Sequence, residues 1–442
     1  MNDKNEQAKR TQDGWANVVT GLGTDIDKRT AFGFRGARRI SPQQLSDQFE
    51  GDYLTARICE LPAREMIRKW VRLDVTEDTE ARDAMTTALA DLGTAPAFQE
   101  AITWSRLFGG GGILMGLMDG GDLDEPVNVE RLQSVEWLTP VDRCDLRVKS
   151  YFTDPLDARF DRPEFYDLQR TGAASVVVHE SRLLIFDGAP LPARARRRRD
   201  GWGASVIERA DEAMSDYLQG VGGAAHALTD FAQAVIKIQD LADMLAQDNE
   251  GLVLQRLRTL QLVKSTLRMI PLDAETEDYT RVATPLSGIP ETLDRLAEAV
   301  ASAVEIPMSI LLGRAPAGLN ATGEADLRWF YDTISAAQQR LVVPQLRQLV
   351  GLLFNASNGP TGGKEPDGWT LETVPLWQLD EKQQAEIRKM TAETDAIYFE
   401  LGVLAPDEIR SSRFGTESFS TETTISEETA PALTGLPVDG EA

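Results

Sequence analysis

Apolar residues recur at helical spacing along most of this chain, with a shorter central stretch in which they alternate or run together as in strands. Ser41-Pro42 reads as an N-cap followed by proline at the first helical position. A helix is expected over 53–70, on Ile58, Leu61, Met66, Ile67 and Trp70, with Pro62 expected to break or kink it. Further helices are expected over 77–92 and 96–108. The run Gly109-Gly110-Gly111-Gly112 then punctuates a passage into a strand-like apolar stretch, Ile113 to Met118. Short strands are expected near 132–139, 164–169, 175–178 and 182–187, so 41–200 reads as an α+β domain.

From 204 the pattern becomes strongly helical. Phe231, Val235, Ile238, Ala242 and Leu245 form a narrow apolar seam that predicts a helix over 224–248. Strand-like pieces follow at 266–271 and 279–284, then an amphipathic helix over 290–304 with Pro290 at its start. The small-residue segment Arg314 to Gly323 reads as a loop. Beyond it, 324–355 is the longest helical pattern; Pro344 should kink it rather than end it, because Leu346, Leu349, Val350 and Leu353 resume the period. Helices are expected over 380–401 and 406–412. The stretch 415–442, with six acidic residues and no basic ones, reads as disordered. The fold class is therefore α+β, mostly helical.

Composition narrows the chemistry. The chain has 442 residues with 70 acidic against 46 basic side chains, a formal net charge of −24. A nucleic-acid clamp draws its affinity from a basic surface, so this balance argues against one. Two cysteines, Cys59 and Cys144, provide neither a disulfide framework nor a zinc pair. No apolar run reaches the ~18–20 residues of a membrane span, and the polar N-terminal stretch lacks a signal-peptide core; a cytosol-like compartment and no membrane partner are expected.

The chain has only two histidines, His179 and His226. His179 falls where a strand begins and reads as a structural turn residue, and His226 reads the same way. No GxSxG elbow, HExxH helix or calcium loop occurs. The glycine run at 109–112 follows a helix and precedes a strand, the reverse of a phosphate-binding loop, and no lysine follows it before Lys149. No enzyme activity, catalytic residue, metal site or cofactor is expected. The concentrated positive charge is Arg194, Arg196, Arg197, Arg198 and Arg199, which would hold phosphate, meet an acidic neighbouring subunit, or form a solvated surface loop.

With these elements in place the chain resembles the portal proteins of tailed bacteriophages, the head–tail connector family. The likeness is carried by Tyr53-Leu54-Thr55-Ala56-Arg57-Ile58-Cys59-Glu60-Leu61-Pro62-Ala63, Val178-His179-Glu180-Ser181-Arg182, Gly201-Trp202-Gly203-Ala204-Ser205-Val206, Glu305-Ile306-Pro307 with Leu311-Leu312-Gly313, and Gly318 to Glu324, in family order over about 45–400. It implies a homo-oligomeric ring, usually of twelve subunits, at one capsid vertex of the virion, assembled in the host cytoplasm. Double-stranded DNA would pass through its channel during packaging and ejection. The implied partners are the terminase large subunit, a head–tail adaptor, and the major capsid and scaffold proteins.

By that likeness, residues 1–40 form a flexible N-terminal arm and 41–223 an α+β wing. Residues 224–251 and 286–313 are the two stem helices, flanking a clip at 252–285. A tunnel loop follows at 314–323, with Arg314, Asn320 and Thr322 as candidate DNA-facing residues; Arg314 pairing with a neighbouring subunit is the alternative. The long proline-kinked wing helix and its return occupy 324–379, a crown-like helical region 380–414, and the acidic tail 415–442. A largely acidic wall suits a conduit, because tight phosphate contacts would have to be broken at every step. An anti-defence phosphoesterase grouped with such portals uses two His-x-Thr motifs. Here the histidines read His179-Glu180-Ser181 and His226-Ala227-Leu228, so neither motif is present and that activity is not expected. Another oligomeric head or head–tail component without a DNA channel is the alternative reading.

Overall fold

The computed structural model describes residues 39–69, 71–75, 79–170, 172, 174–229, 232–238, 255, 277–283, 288–313, 323–377, 381–403 and 409. Residues 314–322 of the expected tunnel loop, most of the expected arm 1–40 and of the expected clip, and the acidic stretch 415–442 lie outside them, as do the expected strand 266–271 and nearly all of the expected short helix 406–412. The chain divides into two units, Met1–Val374 and Pro375–Ala442.

The first unit opens with α1 (Pro42–Gly51), capped as its sequence suggests: Ser41 Oγ accepts from the Gln44 N–H, and Gln44 Oε1 accepts from the Ser41 N–H. Asp52 caps α2 (Tyr53–Arg68) by accepting from the N–H groups of Leu54 and Thr55. Pro62 sits in the middle of α2, yet the helix is continuous through it. Proline lacks the N–H that would bond the carbonyl four residues back. That carbonyl, on Ile58, accepts instead from Arg106 Nε at 3.2 Å and Nη2 at 2.9 Å. The expected break is thus repaired by a side chain from α4 (Thr94–Phe108), against which α2 packs.

The helix expected over 77–92 is α3 (Thr79–Asp91). Two antiparallel three-stranded sheets follow. One has the order β3-β2-β7, from β2 (Gly110–Leu117), β3 (Val135–Asp142) and β7 (Leu183–Asp187). The other has the order β4-β5-β6, from β4 (Leu146–Tyr151), β5 (Pro163–Leu168) and β6 (Val176–His179). β2 is buried along nearly its whole length because it is the central strand and α4 covers it; Phe98 of α4 meets Phe186 of β7 edge to face at 5.2 Å. A separate two-stranded pairing joins β1 (Val71–Asp74) to β10 (Thr370–Thr373), with Val71 opposite Thr373.

The helix predicted over 224–248 is not what forms. α6 (Val206–Thr229) ends early, and β8 (Ala232–Ile238) pairs antiparallel with β9 (Glu277–Ala283), Ala232 opposite Ala283. The reason is local. Val235, Ile236 and Ile238 are β-branched, and such a cluster favours a pleated strand over a helix even where wider spacing suggests a heptad seam. α6 packs instead against α7 (Ile289–Val304), which matches the amphipathic helix expected over 290–304.

The first unit closes with α8 (Met308–Leu312), α9 (Glu324–Ala337), a π-helical turn (Gln338–Val342) and α10 (Val343–Asn355). Of the second unit, the described helix is α11 (Glu381–Glu400), where the sequence predicts one.

Candidate functional site

The base of the 314–322 loop is built with care. α7 ends at Glu305, which adopts a left-handed φ of 57°, and Ile306 beside it is buried. α8 stops at Gly313 (φ 68°), and α9 starts from Gly323 (φ 68°), both in the region where a side chain would be strained. Ser309 Oγ donates to Asp326 Oδ2 at 3.2 Å, closing the two flanks on each other, and Arg57 Nη2 donates to the Ile310 carbonyl at 2.9 Å, anchoring α8 to α2. Glu324 and Asp326 place carboxylates on the first turn of α9, where the helix dipole favours them. Arg314, Asn320 and Thr322 themselves lie outside the described residues.

At Pro344 the long helix takes a specific form. Proline cannot bond the carbonyl of Arg340, and the helix widens into the π-helical turn just before it, then resumes. Gln338, fully buried in that turn, uses its Nε2 to donate to the carbonyls of Met66 and Lys69 at 2.6 and 3.4 Å, which are at the open C-terminal end of α2. On α10, Gln345 Oε1 accepts from the Ile185 N–H at 3.1 Å, and Gln348 Nε2 donates to the carbonyls of Ser181 and Leu183. Two glutamines therefore cover the outer edge of β7, which would otherwise offer unpaired backbone groups.

The arginine run forms a short helix, α5 (Ala193–Arg197), and a turn. Its side chains are largely committed within the subunit. Arg199 pairs with Glu208 at 2.6 Å, both nearly buried. Arg197 pairs with Asp161 at 3.1 Å, and Arg196 pairs with Asp187 and donates to the Gly201 carbonyl. Burial pushes the Asp187 carboxyl above its ordinary range despite the Arg196 guanidinium beside it. Arg194 and the side chain of Arg198 make no ion pair among the described residues. A solvated basic strip is therefore reduced to those two side chains. The acids that neutralise the rest lie too far along the chain for local charge pattern to reveal them.

Beside this turn opens a cleft of about 780 Å³ between the β4-β5-β6 sheet and the π-helical turn. Tyr166, Leu183, Ile185 and Trp202 line its apolar part, and Asp187 and Arg340 are among its charged residues.

One ion pair was not anticipated at all. Arg182, 1% exposed, and Asp119, fully buried, meet in two contacts of 3.2 and 2.8 Å. Asp119 also accepts from the N–H groups of Gly121 and Asn128, and Arg182 Nε donates to the Glu125 carbonyl. Burial alone would raise the Asp119 carboxyl; the Asn128 N–H, the Arg182 guanidinium and the Gly121 N–H outweigh it and hold the carboxyl below its usual range. A depressed carboxyl contributes stability that is complete above its unfolded value, near 4, and is lost as pH falls through the lower folded value. Urea-unfolding midpoints measured downward from pH 5 are expected to fall progressively below about pH 4, and an Asp119→Asn variant is expected to show a shallower fall.

His179 ends β6 rather than beginning a strand, and it serves the turn that follows, as its sequence suggested. Its Nδ1 accepts from the Ser181 N–H at 3.2 Å, capping the turn Glu180–Arg182, with the Phe165 ring edge-on at 5.3 Å. Burial pushes its imidazole pKa down, which favours the neutral ring. Among the described residues, no group of three or more His, Cys, Asp and Glu side chains could hold a metal ion, and no helix is long and apolar enough to cross a membrane.

Comparison with known proteins places these features in a family. Two curated relatives, each named anti-CBASS protein Acb1, come from Caulobacter sp. (strain RHG1) and Sphingomonas paeninsulae. Both are 26% identical, over 86% and 89% of this chain. The chain spans only 62% and 63% of their lengths. A solved structure described as the neck of an empty GTA particle computed with C6 symmetry shares the fold, with a TM-score of 0.50 at 17% identity, covering 89% of this chain and 98% of that one. The model of the phage portal protein family matches residues 43–397, and the chain belongs to that family.

Proposed function

We propose that this chain assembles as a homo-oligomeric ring at one capsid vertex and forms the channel through which double-stranded DNA enters and leaves. The observation that carries the reading is the family match over 43–397, which takes in both helices that flank the 314–322 loop. The sixfold symmetry in the description of the GTA neck supports a cyclic arrangement. Two glycines in left-handed conformation and the Ser309–Asp326 clasp give the loop a fixed base from which to approach a central axis. Arg314, Asn320 and Thr322 would then face DNA. The terminase large subunit, a head–tail adaptor and the capsid and scaffold proteins would be the partners.

The same reading makes the chain structural rather than enzymatic. The relatives named as anti-CBASS proteins extend well beyond the matched portion. The imidazole of His179 is committed to capping a turn, and neither histidine is followed by the x-Thr of a phosphoesterase motif. This supports a chain that shares the matched portion with them without cyclic-nucleotide cleavage.

Two measurements test the proposal. Native mass spectrometry with negative-stain imaging should find a species near twelve times 48.6 kDa with a central hole; a stable dimer that never forms rings would overturn it. Deleting 316–322 should leave ring assembly intact and impair packaging. Normal length and yield of packaged DNA in that deletion would remove the loop from the mechanism.

A further inference from the structure

The loop between β4 and β5 is held by its own hydrogen bonds. The Phe152 N–H donates to the Arg162 carbonyl at 2.9 Å and the Asp161 N–H to the Phe152 carbonyl at 3.1 Å, closing the base. Above it, Asp154 Oδ1 accepts from the Leu156 N–H and Asp157 Oδ1 from the Arg159 N–H, two aspartate turns in succession. Arg159 pairs with Asp157 at 3.0 Å and with Glu180 at 3.3 Å, and its guanidinium lies over the Phe152 ring at 4.1 Å. The tip so fixed presents Asp154, Pro155 and Leu156, all exposed, with Leu156 at 94%. The Asp154 carboxylate makes no ion pair among the described residues. A lone exposed leucine is ordinary on a protein surface. On a tip already ordered, however, burying it against a partner costs little conformational entropy, which is the form of a preorganised contact.

The cleft beside the arginine turn offers the complementary lining. Phe160 is half exposed there, and Ile185, Leu191 and Leu341 are partly exposed, so an apolar group can reach them. Arg162 and Arg340, both exposed, line the same cleft and make no ion pair among the described residues. In a chain of net charge −24, two unpaired guanidinium groups at one cleft favour an acidic visitor. The tip does not fill the cleft of its own subunit, because Leu156 stands in solvent. One chain therefore carries both an apolar tip with a free carboxylate and an apolar cleft with free guanidinium groups. Two different complementary surfaces on one molecule make a heterologous contact, which generates a ring where the rotation closes.

We propose that the Asp154-Pro155-Leu156 tip of one copy seats in this cleft of the neighbouring copy, with Leu156 on Phe160, Ile185, Leu191 and Leu341 and the Asp154 carboxylate at Arg162 and Arg340. This contact, which presupposes the homo-oligomeric ring proposed above, would repeat from each subunit to the next.

The test mixes isotopically heavy and light full-length chains carrying p-benzoylphenylalanine in place of Leu156, follows their assembly by native mass spectrometry, and irradiates and digests them. Cross-linked peptides of mixed isotope, joining the tip to segments 183–203 or 338–348, are the expected result. Rings in which the tip cross-links between chains only elsewhere, only within its own chain, or not at all would overturn the contact and leave the ring standing. A chain that never assembles would overturn both. A second measurement uses charge. Asp154→Arg should raise the protein concentration at which half of the chains are assembled by about tenfold, and adding Arg340→Glu should restore most of the loss. Both side chains are exposed, so neither substitution touches the core. Unchanged assembly in Asp154→Arg, or no recovery in the double variant, would also overturn the proposal.

Discussion

Replacing Arg182 with alanine is expected to destabilise the first unit by about 3–5 kcal/mol, because it leaves the Asp119 carboxylate buried without its cation. Asp119 would keep only the Gly121 and Asn128 N–H groups, and the Glu125 carbonyl would lose its donor. The loop between β2 and β3, which these bonds fold back on itself, is the region that should loosen. Equilibrium unfolding in urea measures the loss. The companion double variant, Arg182→Met with Asp119→Leu, replaces the pair by apolar groups and should recover most of the stability, since two well-packed hydrophobes avoid the desolvation of both charges. If Arg182→Ala alone costs less than about 1 kcal/mol, the pair does not hold the loop.

The second large effect is expected at Gly110. A β-carbon there would lie 2.7 Å from Cδ2 of Trp202 and closer still to Cε3. Moving the indole would disturb its packing, because Trp202 is nearly buried among Leu114, Val141, Leu146, Tyr166, Val178 and Leu183. Gly110→Ala should therefore cost about 3 kcal/mol, the upper part of the range for overpacking a well-filled core. Adding Trp202→Leu should make the alanine substitution far cheaper, a coupling that a double-mutant cycle reads directly. A cost that is equal in both backgrounds would mean that the ring is not what the new methyl meets. The packing also explains the glycine run. Its purpose is close approach of the strand to neighbouring groups, and no phosphate is needed to account for it.

Much of the architecture was legible in local pattern. The helices over 42–51, 79–91, 94–108 and 289–304 fall where amphipathic spacing and caps place them, because their signals lie within one or two turns. What escaped was whatever depends on distant partners. β1 pairs with β10 across some three hundred residues, and a four-residue strand has no signature without that neighbour. The strand at 232–238 was hidden by a spacing that suits a heptad as well as a pleat, until β9 supplied the other half of the ladder. The candidate site divides the same way. The helix that follows 314–322 was readable from periodicity, whereas the five-residue α8 before it, too short to show a period, was not. The fate of the arginine run was not, since Asp161, Asp187 and Glu208 neutralise it from three separate elements.

Pro62 and Arg106 behave as one heritable unit. Judged alone, proline in the middle of a helix looks like a defect that alanine would mend. Here alanine would return an N–H to the Ile58 carbonyl, and the partly buried Arg106, which now uses that oxygen twice, would have to share or lose its acceptor. Alanine at 106 in turn would strand the carbonyl that proline has vacated. Each change is expected to cost more in the presence of the other's native residue than in company, a coupling between positions 44 apart in sequence that a double-mutant cycle reads. Redesign by single substitution would find both positions closed, although the pair can be exchanged together for an ordinary helix packed on an apolar neighbour.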